Sequence, residues 1–133
     1  MNQDKINMIS SYIEITDIPI LMEQISLEVF PNAVVIEANC NISELNGNYE
    51  GKDFVAPKWY KDLLSKNSLK RILVINGIDK ISKEEQLKFI ELLKYKKIST
   101  FDIPNNTVIV LMASDITFNI SPEISSLVAT IKD

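Results

Sequence analysis

The sequence contains no histidine, and this absence removes the commonest general base and metal ligand from the chemistry open to the chain. It has only three glycines, Gly47, Gly51 and Gly77, and a single arginine, Arg71. Cys40 is the only cysteine, so no disulfide can form within the chain. A lone cysteine fits a reducing, intracellular environment.

Long apolar runs and a strong charge of one sign are also missing. No apolar run approaches the roughly 20 residues needed to cross a bilayer. The first residues, MNQDKINMISSYIEI, lack the apolar core and cleavage site of a secretory signal. We therefore expect a cytoplasmic protein without membrane contacts. The net charge of −4 argues against binding nucleic acid through overall charge, although a local basic patch remains open.

What the chain does contain is typical of one globular domain. Hydrophobic residues make up 46% of the 133 residues and charged residues 24%. This length supports a single core, and no linker, repeat or low-complexity segment divides it. We predict one domain over residues 1–133.

Apolar runs alternate with amphipathic segments along the chain. Three runs are typical of buried strands, namely AVVIEA at 33–38, RILVIN at 71–76 and TVIVLMAS at 107–114. Ahead of them, we expect residues 10–16 to be extended and residues 18–30 to form a helix capped by Asp17. Residues 41–57 predict a polar loop with at most one helical turn.

The remaining segments predict helices and one short strand. Residues 83–97 predict a helix with Ser82 as its N-cap and Glu85 at the capping-box position. Leu87, Ile90 and Leu93 of this helix are expected to face the core. We also predict a helix from residue 57 to near Asn67, a helix at 121–127 and a strand at 128–133. Together the pattern predicts an α/β three-layer sandwich with a mainly parallel sheet.

From residue 71 onward the sequence resembles the core of an AAA+ ATPase, a class of P-loop NTPase. In that family a hydrophobic strand ends in Asp-Glu, the Walker B motif, and leads into a helix. A later strand ends in a polar sensor residue, and a Ser-Pro-Glu-type turn opens a short helix. Here ILVI at 72–75, IPNNTVIVLMASDI at 103–116 and ISPEISSL at 120–127 match this order. The residues before 71 match only in outline.

The resemblance places the family's nucleotide-site residues at four positions. The magnesium-binding aspartate falls on Asn76, whose amide lacks the charge that a hard cation prefers. The catalytic glutamate falls on Gly77, which has no side chain, and the sensor residue falls on Ser114. Asp79 falls where a second acid is common, or else is a solvated residue near a helix start. The resemblance thus implies a degenerate Walker B motif and no catalytic residue.

The family's phosphate-binding loop, Gly-x-x-x-x-Gly-Lys-[Ser/Thr], has no counterpart. The segment expected to hold it, EITDIPILMEQ at 14–24, has neither glycine nor lysine. GNYEGKD at 47–53 is one residue too short, ends in an acid and follows the second predicted strand. Arg71 precedes its strand, at the wrong end for an arginine finger, and the sequence stops at Asp133 without a lid domain. We therefore expect no ATP hydrolysis and no cofactor.

Other candidate sites have a structural and a functional interpretation each. Cys40 is expected to be a small buried hydrophobic residue. A metal site would require the carboxylates of Asp79, Asp102 and Asp115 to lie close together. The basic run Lys94, Tyr95, Lys96 and Lys97 predicts either a helix terminus favoured by the macrodipole or a contact with nucleic acid or polypeptide. The pair Trp59 and Tyr60 predicts either a cap on the core or a partner-facing aromatic pair.

The function we predict is non-catalytic. We expect an AAA+-like module that binds another protein. It would act as an inactive subunit or a regulator, either of an ATPase or of a clamp-loader-like, replication-type assembly. Self-association is a further form of the same activity. Two alternatives stay open. One is a regulator with weak affinity for ATP or GTP, and the other is a small nucleic-acid-binding protein that uses residues 94–97.

Overall fold

A computed structural model describes residues 3–66 and 70–132 of the chain. Its strands, in chain order, are β1 (Ile20–Glu23), β2 (Val34–Glu37), β3 (Asn48–Glu50), β4 (Asp53–Val55), β5 (Arg71–Asn76), β6 (Lys97–Ile98), β7 (Phe101–Asp102), β8 (Thr107–Ala113) and β9 (Ala129–Ile131).

A five-stranded sheet forms the centre of the fold, with the strand order β2-β5-β8-β1-β9 and every pair parallel. β8 lies in the middle and is buried at all of its residues, because β-branched and aliphatic side chains suit a strand covered on both faces. β3 with β4 and β6 with β7 form two antiparallel hairpins outside this sheet. The predicted α/β fold with a mainly parallel sheet is confirmed.

Helices cover both faces of the central sheet. On one face, Ile9 and Ile13 pack in a core with Met22, Val110 and Met112. The other face carries a larger core to which the later helices contribute. The helices are α1 (Gln3–Ile15), α2 (Ile42–Asn46), α3 (Lys58–Ser65), α4 (Lys83–Gln86), α5 (Ile90–Tyr95) and α6 (Pro122–Ser125), with short 3-10 helices at Leu27–Val29, Ile78–Lys80 and Leu87–Phe89.

The N-terminal predictions are wrong. Residues 10–16, expected to be extended, belong mostly to α1, and the segment 18–30, expected to be a helix, contains β1 and a 3-10 turn. Asp17 caps no helix and instead pairs with Lys70 at 3.1 Å. The helical spacing of apolar residues in 18–30 is overridden by tertiary pairing, because β1 gains hydrogen bonds from strands on both sides.

The helix predicted over residues 83–97 is present but broken. Its N-cap is correct, since the Ser82 hydroxyl accepts the Glu85 N–H at 3.1 Å. The 3-10 turn between α4 and α5 then shifts which side chains face inward. Leu93 is buried and Ile90 is half-buried as expected, but Leu87 is 41% exposed. Gln86, Phe89 and Leu92 are buried on that side instead.

Two further segments differ from expectation. The polar segment 41–57 contains the expected helical turn, α2, but also the unpredicted β3–β4 hairpin. The β6–β7 hairpin was not predicted, because strands of two residues leave almost no sequence period to detect. The predicted helix end near Asn67 lies outside the described residues, and α3 ends at Ser65. No helix in the described ranges has the length and apolar character to span a membrane.

Candidate functional site

The carboxyl ends of β1, β2, β5 and β8 meet at one edge of the sheet. Beyond the paired residues, the Gln24 N–H donates to the Ala113 carbonyl at 2.8 Å, and the Gly77 N–H donates to the Met112 carbonyl at 2.9 Å. Ligands of open α/β sheets bind outside the carboxyl ends of the strands. This edge is therefore the candidate site, and all four positions singled out by the AAA+ resemblance lie along it.

Asp79 and Ser114 are in direct contact there. The Asp79 carboxylate accepts the Ser114 hydroxyl at 2.8 Å, the Ser114 N–H at 3.1 Å and the Asp115 N–H at 3.1 Å. Partial burial opposes ionisation of Asp79, but these hydrogen bonds outweigh it and hold the pKa of the carboxyl below its ordinary value. Asp79 thus caps the end of β8, a role that neither of its predicted interpretations included.

A partly buried polar network continues from this contact towards α6. The Asn119 amide donates to the carbonyls of Asp79 and Ile81 at 2.8 and 3.0 Å. Gln86 is fully buried, donates to the Asn119 carbonyl at 2.6 Å and accepts the Ser121 N–H at 2.7 Å. Sequence reasoning missed Gln86, whose one signal is a glutamine on the apolar side of a helix.

Asn76 contacts an acid that sequence reasoning also missed. Its amide nitrogen lies 3.1 Å from a carboxylate oxygen of Glu37, the last residue of β2. The Asn76 Oδ1 is buried and has no hydrogen-bond partner. A cleft of about 240 Å³ opens beside this pair and is also lined by Gly77 and Lys80.

Gly77 adopts a left-handed conformation, with φ 81° and ψ 36°. A Cβ at this position would meet only the Lys80 side chain, at 3.4 Å. The restriction on Gly77 is therefore one of backbone conformation, since residues other than glycine rarely adopt such a φ. The position offers no group for acid–base chemistry.

The β1–β2 connection stands where the resembled family has its phosphate loop and following helix. It runs over residues 24–33, rather than over the predicted 14–24, and likewise contains no glycine and no lysine. The Ser26 hydroxyl accepts the Glu28 N–H at 3.3 Å and caps the 3-10 helix. Ile25 and Phe30 bury their side chains in the core. The connection is a short, core-anchored turn with an acid in its first helical residues.

The basic run at the end of α5 is divided by the fold. Lys96 has φ 54° and is half-buried, with its ammonium 3.5 Å from the Thr107 carbonyl. Lys97 pairs with Asp102 at 3.6 Å. Lys94 and Tyr95 remain exposed, with the Lys94 ammonium 5.4 Å from the Tyr95 ring centre. The exposed part of the run is one lysine and one tyrosine rather than a continuous basic surface.

Trp59 and Tyr60 are both held by long-range hydrogen bonds. Trp59 is buried, and its indole nitrogen donates to the Leu45 carbonyl at 2.9 Å. The Tyr60 hydroxyl donates to the Asp102 carbonyl at 2.8 Å. The burial of Trp59 favours its core interpretation over a partner contact.

The remaining candidates are dispersed. Cys40 is half-buried against the larger core, and burial raises the pKa of its thiol. Asp79 and Asp115 lie together, whereas Asp102 belongs to the β6–β7 hairpin. Among the described residues, no three Cys, Asp or Glu side chains form a group able to hold a metal ion.

Comparisons with known proteins support the fold. No protein-family model matches the chain, and no curated protein matches it significantly. Among solved structures, it is similar to a DNA polymerase III gamma subunit-related protein from Thermotoga maritima, with a TM-score of 0.62 and 16% sequence identity. The match covers 96% of this chain but 45% of that protein. The chain therefore shares its α/β fold with this DNA polymerase III gamma subunit-related protein.

Proposed function

We propose that this chain is a non-hydrolysing AAA+-like module that acts by binding another protein. The observation that carries the proposal is the β1–β2 connection at residues 24–33. A phosphate loop needs glycines to fold its backbone N–H groups around an anion and a lysine to neutralise it, and this connection has neither. Its first helical turn contains Glu28, whose charge would repel phosphate.

The positions corresponding to the Walker B and sensor residues support the same proposal. A magnesium site needs oxygen ligands with negative charge, whereas Asn76 is neutral and turns its amide nitrogen to Glu37. The Asp79 carboxylate is already used by two N–H groups and one hydroxyl of the fold. These features support a module that does not hold a nucleotide with its metal ion.

The similar structure suggests the class of assembly. It is a DNA polymerase III gamma subunit-related protein, so we favour a partner in a replication-type assembly or in a ring ATPase. Within such an assembly a module without nucleotide chemistry would contribute binding surface. Self-association is the simplest form of the same activity.

Thermal unfolding with ATP and magnesium tests the non-hydrolysing part of the proposal. A ligand present at 100 times its dissociation constant stabilises a fold by about 2.7 kcal/mol, a shift of several degrees for a domain of this size. We expect no shift with millimolar ATP, ADP or GTP. The variant Asn76→Asp supplies the metal-binding acid of a Walker B motif without altering Gly77, and we expect it to remain without ATP binding or hydrolysis.

Two results would contradict this proposal. A magnesium-dependent shift that Ser114→Ala abolishes would indicate a nucleotide-binding regulator. Binding of a single-stranded oligonucleotide that falls steeply with salt and is lost in Lys94→Ala would indicate a nucleic-acid-binding protein. Glu91→Ala, an exposed change on the same helix, is the control for the second experiment.

A further inference from the structure

The strand β2 forms one edge of the central sheet and pairs with β5 alone among the described strands. The Ala38 N–H donates to the Asn76 carbonyl of β5. Backbone groups of a parallel strand alternate in direction, so Val34 and Ile36 also turn theirs towards β5. The N–H and C=O of Val35 and the N–H of Glu37 therefore point away from the sheet.

A groove of about 1010 Å³ runs beside this edge, between β2 and α3. Apolar groups line its inner side, including Val34, Ile36, Cys40, Pro57 and Trp59. On the opposite face of β2, Val35 is 38% exposed. The edge thus offers backbone hydrogen bonds, a groove lined by both polar and apolar residues on one side and an exposed valine on the other.

Charged side chains lie unevenly along the groove. Glu37, the last residue of β2, and Glu44 of α2 are both lining residues of the groove. Each is held by a hydrogen bond, Glu37 from the Asn76 amide and Glu44 from the Asn41 N–H, and each keeps capacity to accept more. On the α3 side, Lys58 already faces Asp62 at 3.9 Å. A cationic residue in a bound segment would therefore be favoured beside Glu37 and Glu44.

We infer that the edge of β2 binds an extended segment of a partner protein by strand addition. The segment alternates apolar residues, one of which enters the groove beside α3, and has a Lys or Arg next to Glu37 and Glu44. Outward N–H and C=O groups in register select an extended polypeptide backbone, because a neighbouring strand presents the matching groups. This inference rests on the proposed function and specifies which surface performs it.

The edge lacks several of the devices that usually block such pairing. Natural edge strands are protected by proline, by charged side chains and above all lysine, by a bulge, by a covering segment or by being very short. β2 contains Val34, Val35, Ile36 and Glu37, with no proline or lysine, and its pairing to β5 is continuous. Its four residues limit the pairing to a short segment.

Amide hydrogen exchange by NMR tests the inference on the full chain. The probes are capped hexapeptides in which Val, Ile or Leu alternates with Thr, with a terminal Lys or, in the matched set, Glu. In the free protein we expect fast exchange at Val35 and Glu37 and slow exchange at Ile36. Lysine peptides should slow exchange at Val35 and Glu37 by about tenfold or more. The glutamate set should bind roughly threefold to tenfold more weakly.

Two changes separate strand addition from unspecific apolar binding. Val35→Pro removes an N–H that the pairing of β2 with β5 does not use. We expect this change to weaken peptide binding by at least about tenfold. Val35→Thr is the matched control. Methylating a peptide amide that faces β2 should abolish binding, whereas methylating its neighbour should not. The second change leaves the protein unaltered, so it decides the matter even where Val35→Pro does not fold.

The outcomes distinguish this inference from the proposed function. If no peptide slows exchange at Val35, or if both methylated peptides bind equally, the strand-addition inference is wrong. In that case a failure to bind ATP still supports the proposal of a non-hydrolysing module. Protection of Val35 that rises with protein concentration alone would assign the edge to a second copy of the chain. A chain that binds ATP overturns the proposed function whatever the peptides do.

Discussion

At the scale of single residues, polar side chains near the candidate site serve the fold itself. Asp79 accepts three hydrogen bonds from the end of β8, and Gln86 joins α4 to the segment before α6. Each bond satisfies a backbone or side-chain group near the end of a strand or helix. The stability of this edge should therefore depend on these side chains.

Asp79→Ala is expected to lower the free energy of unfolding by about 1–3 kcal/mol at neutral pH, because three donors lose their acceptor. The folded-state pKa of Asp79 lies below its ordinary value. Its contribution is therefore complete above the unfolded-state pKa of about 3.9 and is lost as the pH falls through the folded-state pKa. Urea denaturation of wild type and variant across the acid range measures this. An equal difference at neutral pH and at about pH 2.5 would contradict a role for the charge. Asp79→Asn, which keeps one acceptor oxygen, is the control.

Trp59 is the only tryptophan of the chain and reports directly on the larger core. Trp59→Phe removes the indole donor of the Leu45 carbonyl and should cost about 1–3 kcal/mol of unfolding free energy, measured by urea denaturation. In the wild type the emission should lie at short wavelength and shift to longer wavelength on unfolding. Emission typical of an exposed indole in the folded protein would contradict the burial of Trp59.

At the scale of elements, Gly47 couples α2 to the β3–β4 hairpin. Its φ is 77°, its N–H donates to the Ser43 carbonyl, and an added Cβ would lie 2.4 Å from the Val55 carbonyl oxygen. The hairpin in turn stacks Phe54 on Phe101 of the second hairpin, with ring centres 4.8 Å apart. A change at Gly47 should therefore disturb both hairpins.

Gly47→Ala is expected to destabilise the protein by at least about 2 kcal/mol, because backbone strain and a backbone clash combine. Gly51→Ala is the matched control. Its φ is 66°, but an added Cβ meets nothing within 4 Å, so we expect only about 1 kcal/mol of strain. Thermal unfolding of both variants measures the difference. Equal losses would show that the Val55 contact is easily relieved.

Long strands buried on both faces could be predicted from their own residues, whereas β1 could not. β5 and β8 were predictable because six and seven consecutive residues fit a strand covered on both faces. β1 has four residues and derives its conformation from β8 and β9, which are distant in the sequence. Similarly, Asn76 ends a predictable strand, and Gly77 and Ser114 each follow one directly. Hydrogen-bond partners were harder to predict. Glu37 lies 39 residues from Asn76, and Ser121 lies 35 residues from Gln86.

At the scale of the whole molecule, one face of the sheet depends on α1. Ile9 and Ile13 of α1, together with Ile25 and Phe30 of the β1–β2 connection, cover Met22 and the neighbouring strands. Among the described helices, α1 alone contributes buried side chains to this core. Loss of α1 contacts should therefore weaken the whole domain rather than its N-terminus alone.

Ile9→Ala is expected to lower the free energy of unfolding by about 2–4 kcal/mol, since a fully buried side chain leaves a cavity. Met8→Ala, at a neighbouring position that is 46% exposed, should change it by less than about 0.5 kcal/mol. Urea denaturation followed by circular dichroism compares them. Similar effects of the two changes would mean that α1 does not pack as described.

The position of β1 between β8 and β9 has a consequence for synthesis on the ribosome. Its neighbours in the sheet, Thr107–Ala113 and Ala129–Ile131, are translated only after β2 and β5. Until they emerge, β1 has no neighbouring strand with which to pair, and contacts so distant in sequence form slowly. The nascent chain should therefore remain open, and bound by chaperones, until Ala129–Ile131 has emerged.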